Sequence, residues 1–356
     1  MLLALLFLIG ASQFTLPYYA YRPGSVRSTE ALITIEEGPG APKTYESDGS
    51  IGYTTVSTRK VTLFSYLDAK LDPDVELVPE EDLLQKRSPE ENREINLQLM
   101  DTSKEYATKV ALEKLGWKVP ISSDGERVVE VLEGSAADGV LEPGDLIVAV
   151  DGEKIDDPED LARILDGDPP GTKVDLTVQP FTKDTRKDIE LALGKGEDPE
   201  QGIIGIQRAP DGLAFHFPFQ VDFDTGEVGG PSAGLAFTLG LIDKLTPGDL
   251  TGGVPVAVTG TINPDGSVGK IGGAGQKAAA VRRAGAKVFL VPGPDYADAV
   301  KHAGDVQVIK VNTLDDALAA LAKLGGNAGH LPNVAATTSS TTSSAPTATT
   351  STTVAP

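Results

Sequence analysis

Two segments in the C-terminal half of the chain hold residues whose types and spacing could do chemistry. One is Gly229-Gly230-Pro231-Ser232-Ala233-Gly234, followed by an apolar run. The other is Gly266-Ser267-Val268-Gly269-Lys270-Ile271-Gly272-Gly273-Ala274-Gly275-Gln276-Lys277. Gly229, Gly230 and Pro231 impose a tight turn with room for a substrate backbone. The residues from Ala233 to Asp243 pattern as a buried helix, which puts Ser232 at a helix N-terminus. Unpaired backbone N–H groups and the helix dipole there favour negative charge, as the oxyanion of acyl transfer requires. A plain N-cap is the competing role for a serine in that place. Lys277 falls in the first turn of a helix expected over Ala274–Ala284, among the small or apolar residues Ala278, Ala279, Ala280 and Val281. A free lysine titrates near about 10.4, and burial lowers that value by disfavouring the ammonium. A lysine brought to roughly 7–8 can take a serine proton and return it to a leaving amine.

Composition limits what surrounds these residues. A chain of 356 residues has room for two or three domains. Its formal net charge of -21 argues against general binding to nucleic acid or acidic lipid. There are no cysteines, so disulfides, thiol catalysis and cysteine metal sites fall together. The three histidines, His216, His302 and His330, are scattered, and a zinc site built on clustered histidine is not expected. No cofactor is called for. His216 and His302 sit in no motif and read as surface or core residues.

The rest of the chain must supply the elements that position the two segments. Residues 1–21 read as a transmembrane anchor or a signal segment. Met1 to Ile9 is MLLALLFLI, with no charge before Arg22. Nine residues are too few to cross a bilayer, which takes about 20. Extension through Gly10, Phe14 and Leu16 to Tyr18-Tyr19 gives a marginal span with an aromatic end. A signal cleaved near Gly10-Ala11-Ser12 is the competing reading. Residues 24–117 form an N-terminal α/β region to which no role attaches. Ala31–Ile35 and Arg59–Leu67 are expected as strands, with a turn stretch from Glu37 to Ala41. A helix is expected from Ser88 to Leu115, opened by Ser88 as N-cap, Pro89 at N1 and Glu91 at N3. Residues 331–356 are rich in Thr, Ser, Ala and Pro and are expected to be disordered.

Residues 118–195 pattern as a mainly-β domain. A strand through Val128-Val129-Glu130-Val131 ends in the small-residue turn Gly134-Ser135-Ala136-Ala137. A second strand, Leu146–Val150, is entered by Pro143-Gly144-Asp145 and left by Asp151-Gly152. A helix is expected from Asp157-Pro158 to Leu165, then a last strand pair, Lys173–Gln179 and Asp188–Leu193. This order resembles a PDZ domain. The resemblance implies a peptide added as a strand in a groove between the Arg127–Val131 strand and the Pro158–Leu165 helix. Arg127, Val128, Val129, Val131, Leu161 and Leu165 are the groove residues so implied. A domain that only spaces or docks its neighbour is the alternative.

Residues 200–325 resemble the proteolytic domain of the Lon-type serine peptidases. The resemblance rests on Pro231-Ser232-Ala233-Gly234, Thr259-Gly260-Thr261-Ile262, the Asp265-Gly266 turn, Gly272-Gly273, Lys277, and Arg283-Ala284-Gly285-Ala286-Lys287-Val288-Phe289-Leu290-Val291-Pro292. It implies an α/β (α+β) fold and a Ser–Lys dyad, with Ser232 as nucleophile and Lys277 as general base. Gly230, Pro231 and Ala233 frame the nucleophile, and Thr259 aligns with a family threonine that helps hold the lysine. Many members carry an acid where Gly229 stands, so any role for it is absent or passes to Glu227 or Asp224. No G-x-x-x-x-G-K-[ST] phosphate loop occurs in this sequence, so ATP-driven unfolding is not expected. The layout is similar to membrane-anchored PDZ–Lon-like proteins. That similarity implies an ATP-independent serine endopeptidase at the cell membrane, single-pass, with an extracytoplasmic catalytic part. It further implies peptide or unfolded or membrane-associated protein substrates and a ring-like homo-oligomer. A PDZ-based peptide-binding scaffold or assembly protein with an idle dyad is the alternative.

Overall fold

The computed structural model describes residues 14–341, apart from 39, 40, 182, 184 and 197. The chain divides into two compact units. One comprises the described parts of Met1–Lys118 and Pro218–Pro356, and the other is Val119–Phe217. In chain order the strands used below are β1 (Thr15–Ser28), β2 (Ser50–Thr62), β3 (Glu76–Pro79), β4 (Gly125–Val131), β5 (Leu146–Val150), β6 (Lys173–Gln179), β7 (Lys187–Ala192), β8 (Ile206–Asp211), β9 (Pro255–Val258), β10 (Thr261–Ile262), β11 (Val288–Pro292) and β12 (Gln307–Val311). The helices are α1 (Leu63–Leu71), α2 (Pro89–Lys114), α3 (Asp160–Ile164), α4 (Gly234–Leu245), α5 (Ala274–Ala284), α6 (Tyr296–Ala303), α7 (Leu314–Lys323) and α8 (Val334–Thr341).

The first unit is built on a six-stranded sheet of order β12-β11-β9-β2-β1-β3. The strands β2, β9, β11 and β12 run parallel, and β1 pairs antiparallel with β2 and β3. Register places Ile51 beside Val256, Gly52 beside Ala257 and Tyr53 beside Val258. Parallel strands are covered on both faces and therefore read as continuous apolar runs, and β11, VFLVP, is buried at every residue. The 24–117 region thus shares a sheet with residues 255–311. Strand β2 lies at the centre of that sheet, between β1 and β9.

Helix α4 runs through the core of this unit, with eleven of its twelve residues buried. Phe237 packs on Tyr53 and Phe223, with ring centroids 5.5 and 5.0 Å apart. Helix α2 begins as the sequence prescribes. Ser88 Oγ accepts from the Glu91 N–H at 3.1 Å, and the Glu91 carboxylate accepts from the Ser88 N–H at 2.7 Å. Its buried residues include Met100, Ser103, Ala107 and Val110.

Several expectations are corrected. The strand expected over Arg59–Leu67 ends at Thr62. There the Ser65 hydroxyl accepts from the Thr62 N–H at 2.7 Å in a capping box, and the chain turns into α1. The strand at Ala31–Ile35 shortens to Ile33–Ile35, paired with Val221–Phe223. Thr15 to Tyr21, read as the far end of a membrane span, belongs to β1, where Tyr18–Tyr21 pairs with Glu76–Pro79. Among the described residues no helix is long and apolar enough to cross a membrane. Residues 1–13, which carry the apolar run, lie outside the described residues, as does most of the tail. The tail's first part, expected disordered, forms α8, whose opening N–H at Ala336 is satisfied by Asn333 Oδ1 at 3.0 Å.

The second unit is a five-strand path of order β7-β6-β5-β4-β8 around Val128, Ile147, Val150, Leu161, Leu176 and Val178. It continues past residue 195. Strand β8 lies along β4, from Ile206 beside Val131 to Asp211 beside Gly125. The helix expected from Asp157 starts at Asp160, because the Asp160 carboxylate accepts from the Asp156 and Asp157 N–H groups and holds those residues in a turn.

Candidate active site

The loop before α4 brings Ser232 to the core helix without making it a cap. Gly230 takes a φ of 91°, which glycine allows freely, and its N–H donates to Asn96 O at 2.7 Å. A Cβ at Gly229 would stand 2.9 Å from Asn96 Cβ, so no acidic side chain fits at that position. Glu227 instead pairs with Arg93 at 2.7 Å, and Asp224 closes a local turn through the Gly226 N–H. Ser103 Oγ on α2 donates to Pro231 O at 3.0 Å. Ala233 is the N-cap of α4 and makes no side-chain cap, which leaves the Ser232 hydroxyl available. At Gly234 a Cβ would come within 2.8 Å of both Ser103 Oγ and Ile262 Cγ2, so only glycine lets α4 approach α2 and β10 this closely.

Lys277 comes from α5, which occupies the span expected for it. Gly273 enters the helix with a φ of 67°. Lys277 is 2% exposed. Its Nζ donates to Ser232 Oγ at 2.7 Å and to Thr259 Oγ1 at 3.1 Å. The Thr259 hydroxyl in turn donates to Ser232 O at 3.2 Å, and the Gly260 N–H donates to the same carbonyl at 2.9 Å. Thr259 therefore has its proton committed and presents lone pairs to the lysine. Burial pushes the Lys277 ammonium down to about 7, against the opposing pull of the Asp295 carboxylate. Asp295 is itself buried and accepts from the Ile271 N–H at 2.9 Å.

Ser232, Lys277, Thr259, Gly230, Pro231 and Ala233 thus meet at one place, and all but Thr259 line or border a cleft of about 640 Å³. The backbone N–H groups of Ser232 and Ala233 bond to no other described residue. Asn96, Ser103 and Asp295 were not singled out in the sequence. Ser103 left a faint signal there, a small polar residue on the stripe that includes Met100 and Ala107. The histidines lie elsewhere: His216 Nε2 is 2.9 Å from Ser122 Oγ, and His302 Nδ1 is 3.2 Å from Asp74 Oδ1.

In the second unit the residues expected to line a groove are placed as follows. Strand β4 has β5 on one side and β8 on the other, so its edge is not open to an added strand. Arg127 grips the Asp211 carboxylate with two hydrogen bonds of 2.8 and 2.6 Å. Val128 is in the core, and Val131 packs against it. Val129 is exposed and, like Arg127, Val128 and Val131, is not among the residues lining the groove beside α3. A groove lies between α3 and the 201–208 segment. Leu161 and Leu165 line one side, and Ile203, Ile204 and Ile206 line the other. Arg208 is at one end, with its guanidinium on the Pro158 carbonyl at 3.0 Å and beside the buried Glu126 carboxylate. The cue in the sequence was the apolar stretch Gly202-Ile203-Ile204-Gly205-Ile206, which falls within the 200–325 region taken as the next domain.

Comparison with known proteins agrees with this division. Residues 127–180 match the family model of the PDZ domain. Residues 221–323 match that of the Lon protease (S16) C-terminal proteolytic domain. The chain is 30% identical over 117 residues to Lon protease 2 of Bacillus subtilis (strain 168), covering 32% of this chain and 20% of that protein. It is 33% identical over 113 residues to a probable periplasmic serine endoprotease DegP-like of Brucella suis biovar 1 (strain 1330), again 32% of this chain and 20% of that one. The chain thus spans about a fifth of the length of these curated relatives. Among solved structures, the PDZ domain of an SdrC-like protein from Listeria monocytogenes is 23% identical, covering 24% of this chain and 88% of that one, with a TM-score of 0.23. The chain therefore carries a PDZ domain and a Lon-type proteolytic domain.

Proposed function

We propose that this protein is a serine endopeptidase in which Ser232 attacks the peptide carbonyl and Lys277 is its general base. The observation that carries the reading is the 2.7 Å approach of a buried lysine, lowered to about 7, to a serine hydroxyl that caps nothing. In the neutral amine, one N–H goes to Thr259 and the lone pair faces Ser232. The serine proton passes to Nζ as Oγ bonds to the carbonyl carbon. The oxyanion is held by the N–H groups of Ser232 and Ala233 at the positive end of α4. Collapse returns the proton from Nζ to the leaving amine and leaves an acyl group on Ser232. Water, deprotonated by the same lysine, then releases it. Nothing in these steps consumes ATP. We assign flexible or unfolded polypeptides as substrates, and the groove between α3 and β8 to extended peptides that are either substrates or regulators. The run Met1–Ile9 is assigned to a membrane on its composition.

The test is cleavage of an unfolded protein, without ATP, by the full chain and its Ser232→Ala and Lys277→Ala variants, read by mass spectrometry. The expected result is new peptide termini from the parent and a loss of about a thousandfold or more in both variants. Equal cleavage by all three, or none by any folded form with or without a peptide in the groove, rejects the dyad.

A further inference from the structure

Helix α1 is apolar on two opposite faces. Its inner face, Tyr66 and Ala69, packs with Ala20, Val61, Leu16 and Tyr18. Its outer face carries Leu63, Phe64, Leu67 and Leu71, exposed by 40, 44, 55 and 85%. At 3.6 residues per turn these four fall within one arc of about 100°. Four large apolar side chains on the solvent side of a nine-residue helix need a cover.

What surrounds the stripe indicates which cover. Thr15 pairs with Thr62, so Phe14 leaves the sheet at the end where α1 begins, and Phe14 is itself 66% exposed. Directly upstream in sequence stands the uncharged run Met1–Ile9. Phe14 and the start of α1 therefore lie at the same end of β1. Beside them, Lys70 Nζ lies 5.6 Å from the Tyr66 ring, while Lys60, 5.9 Å from the Tyr19 ring, is ion-paired with Glu80 at 2.6 Å. Leucine and phenylalanine on one face, with Lys70 beside them on the same helix, form the arrangement of an element lying in a lipid interface.

We propose that the outer face of α1, with Phe14, is a lipid-contact surface that seats the first unit flat on a bilayer. The contact is apolar and does not depend on anionic headgroups, as a chain of net charge -21 requires. It stands independently of the peptidase reading.

The chain has no cysteine, so single-cysteine labels report single positions. Leu67→Cys, Leu71→Cys and Lys287→Cys in the full chain would each carry a polarity-sensitive fluorophore. Lys287 serves as the comparator. Its N–H bonds to Pro255, which pairs with Ser50, the end of β2 far from Thr62. The proteins are mixed with phosphatidylcholine vesicles whose acyl chains are brominated. Loss of emission at 67 and 71 but not at 287 is expected. Failure to bind the vesicles, or binding without loss at 67 and 71, overturns the proposal. Emission from 67 that is already blue-shifted without vesicles also overturns it. If that shift falls on dilution the cover is a second copy, and if it does not the cover is the chain's own apolar run.

Discussion

Ser103 Oγ donates to the carbonyl oxygen of Pro231 at 3.0 Å, across 128 residues of sequence. It ties the middle of α2 to the residue directly before Ser232. Ser103 is 3% exposed, so water does not readily replace it. Ser103→Ala is expected to cost about 1 kcal/mol of stability. It is expected to lower kcat roughly tenfold with KM little changed, because Ser232 loses its fixed place against Lys277. Chemical denaturation and steady-state kinetics on one peptide check both. A rise in KM at constant kcat would assign α2 to substrate binding instead.

Under the proposed dyad, the lysine sets the pH profile. With Lys277 lowered to about 7, kcat/KM should rise through that pH and level off above it, since only the neutral amine accepts the serine proton. A profile that keeps rising to pH 10 would mean an unshifted lysine.

The same shift acts on stability with a definite sign. Between about 7 and the ordinary lysine value of 10.5 the unfolded chain holds the proton and the folded chain does not. Stability therefore climbs with pH across that window, by up to roughly 1.4 kcal/mol per unit, and the cost of burial is fully present below it. Lys277→Met should be more stable than the parent at pH 7, with the gap narrowing towards pH 10, as urea melts at the two pH values would show.

Asp74 links the N-terminal region to α5 and α6. Its carboxylate lies 2.6 Å from Arg282 and 2.9 Å from Arg283, with His302 at 3.2 Å. Burial alone would raise its pKa, but the hydrogen bond from His302 and the two guanidiniums outweigh that and hold it below the usual carboxylate value of 3.8. The stabilisation is complete above that value and is lost as pH falls through the lowered one. Asp74→Ala should cost about 1–2 kcal/mol at pH 7, a discounted figure because both arginines are partly in water. The difference should stay flat down to about pH 4 and close below it.

The groove position has its own discriminating pair. Leu132 lines the groove and is 40% exposed, while Val129 on β4 is 55% exposed and lies outside that lining. Leu132→Glu should weaken peptide binding about tenfold, measured by fluorescence anisotropy, and Val129→Glu should leave it unchanged. The reverse pattern would return the groove to β4.

The sequence by itself determined the local events. Ser88-Pro89-Glu90-Glu91 opens a helix, and Gly272-Gly273 followed by an alanine-rich stretch opens α5, because caps and glycine turns depend on a few adjacent residues. Ser232 and Lys277 were legible for a related reason, each sitting in a short segment that opens a helix, whereas Thr259 was named only through the resemblance to the Lon-type domain.

Tertiary structure decided what those segments meet. The matched proteolytic segment begins at residue 221, yet β2, at the centre of its sheet, comes from residues 50–62. A parallel pairing between Ile51 and Val256 leaves no trace in either strand alone, since both read only as apolar. Likewise β8 closes the edge of β4 through backbone hydrogen bonds that any side chains could accompany, so that pairing could not be read from either strand. Lys277 itself shows the division. Its neighbours in sequence made burial plausible, but the drop to about 7 and the 2.7 Å approach to Ser232 arise where α5 packs against the loop that α2 holds in place.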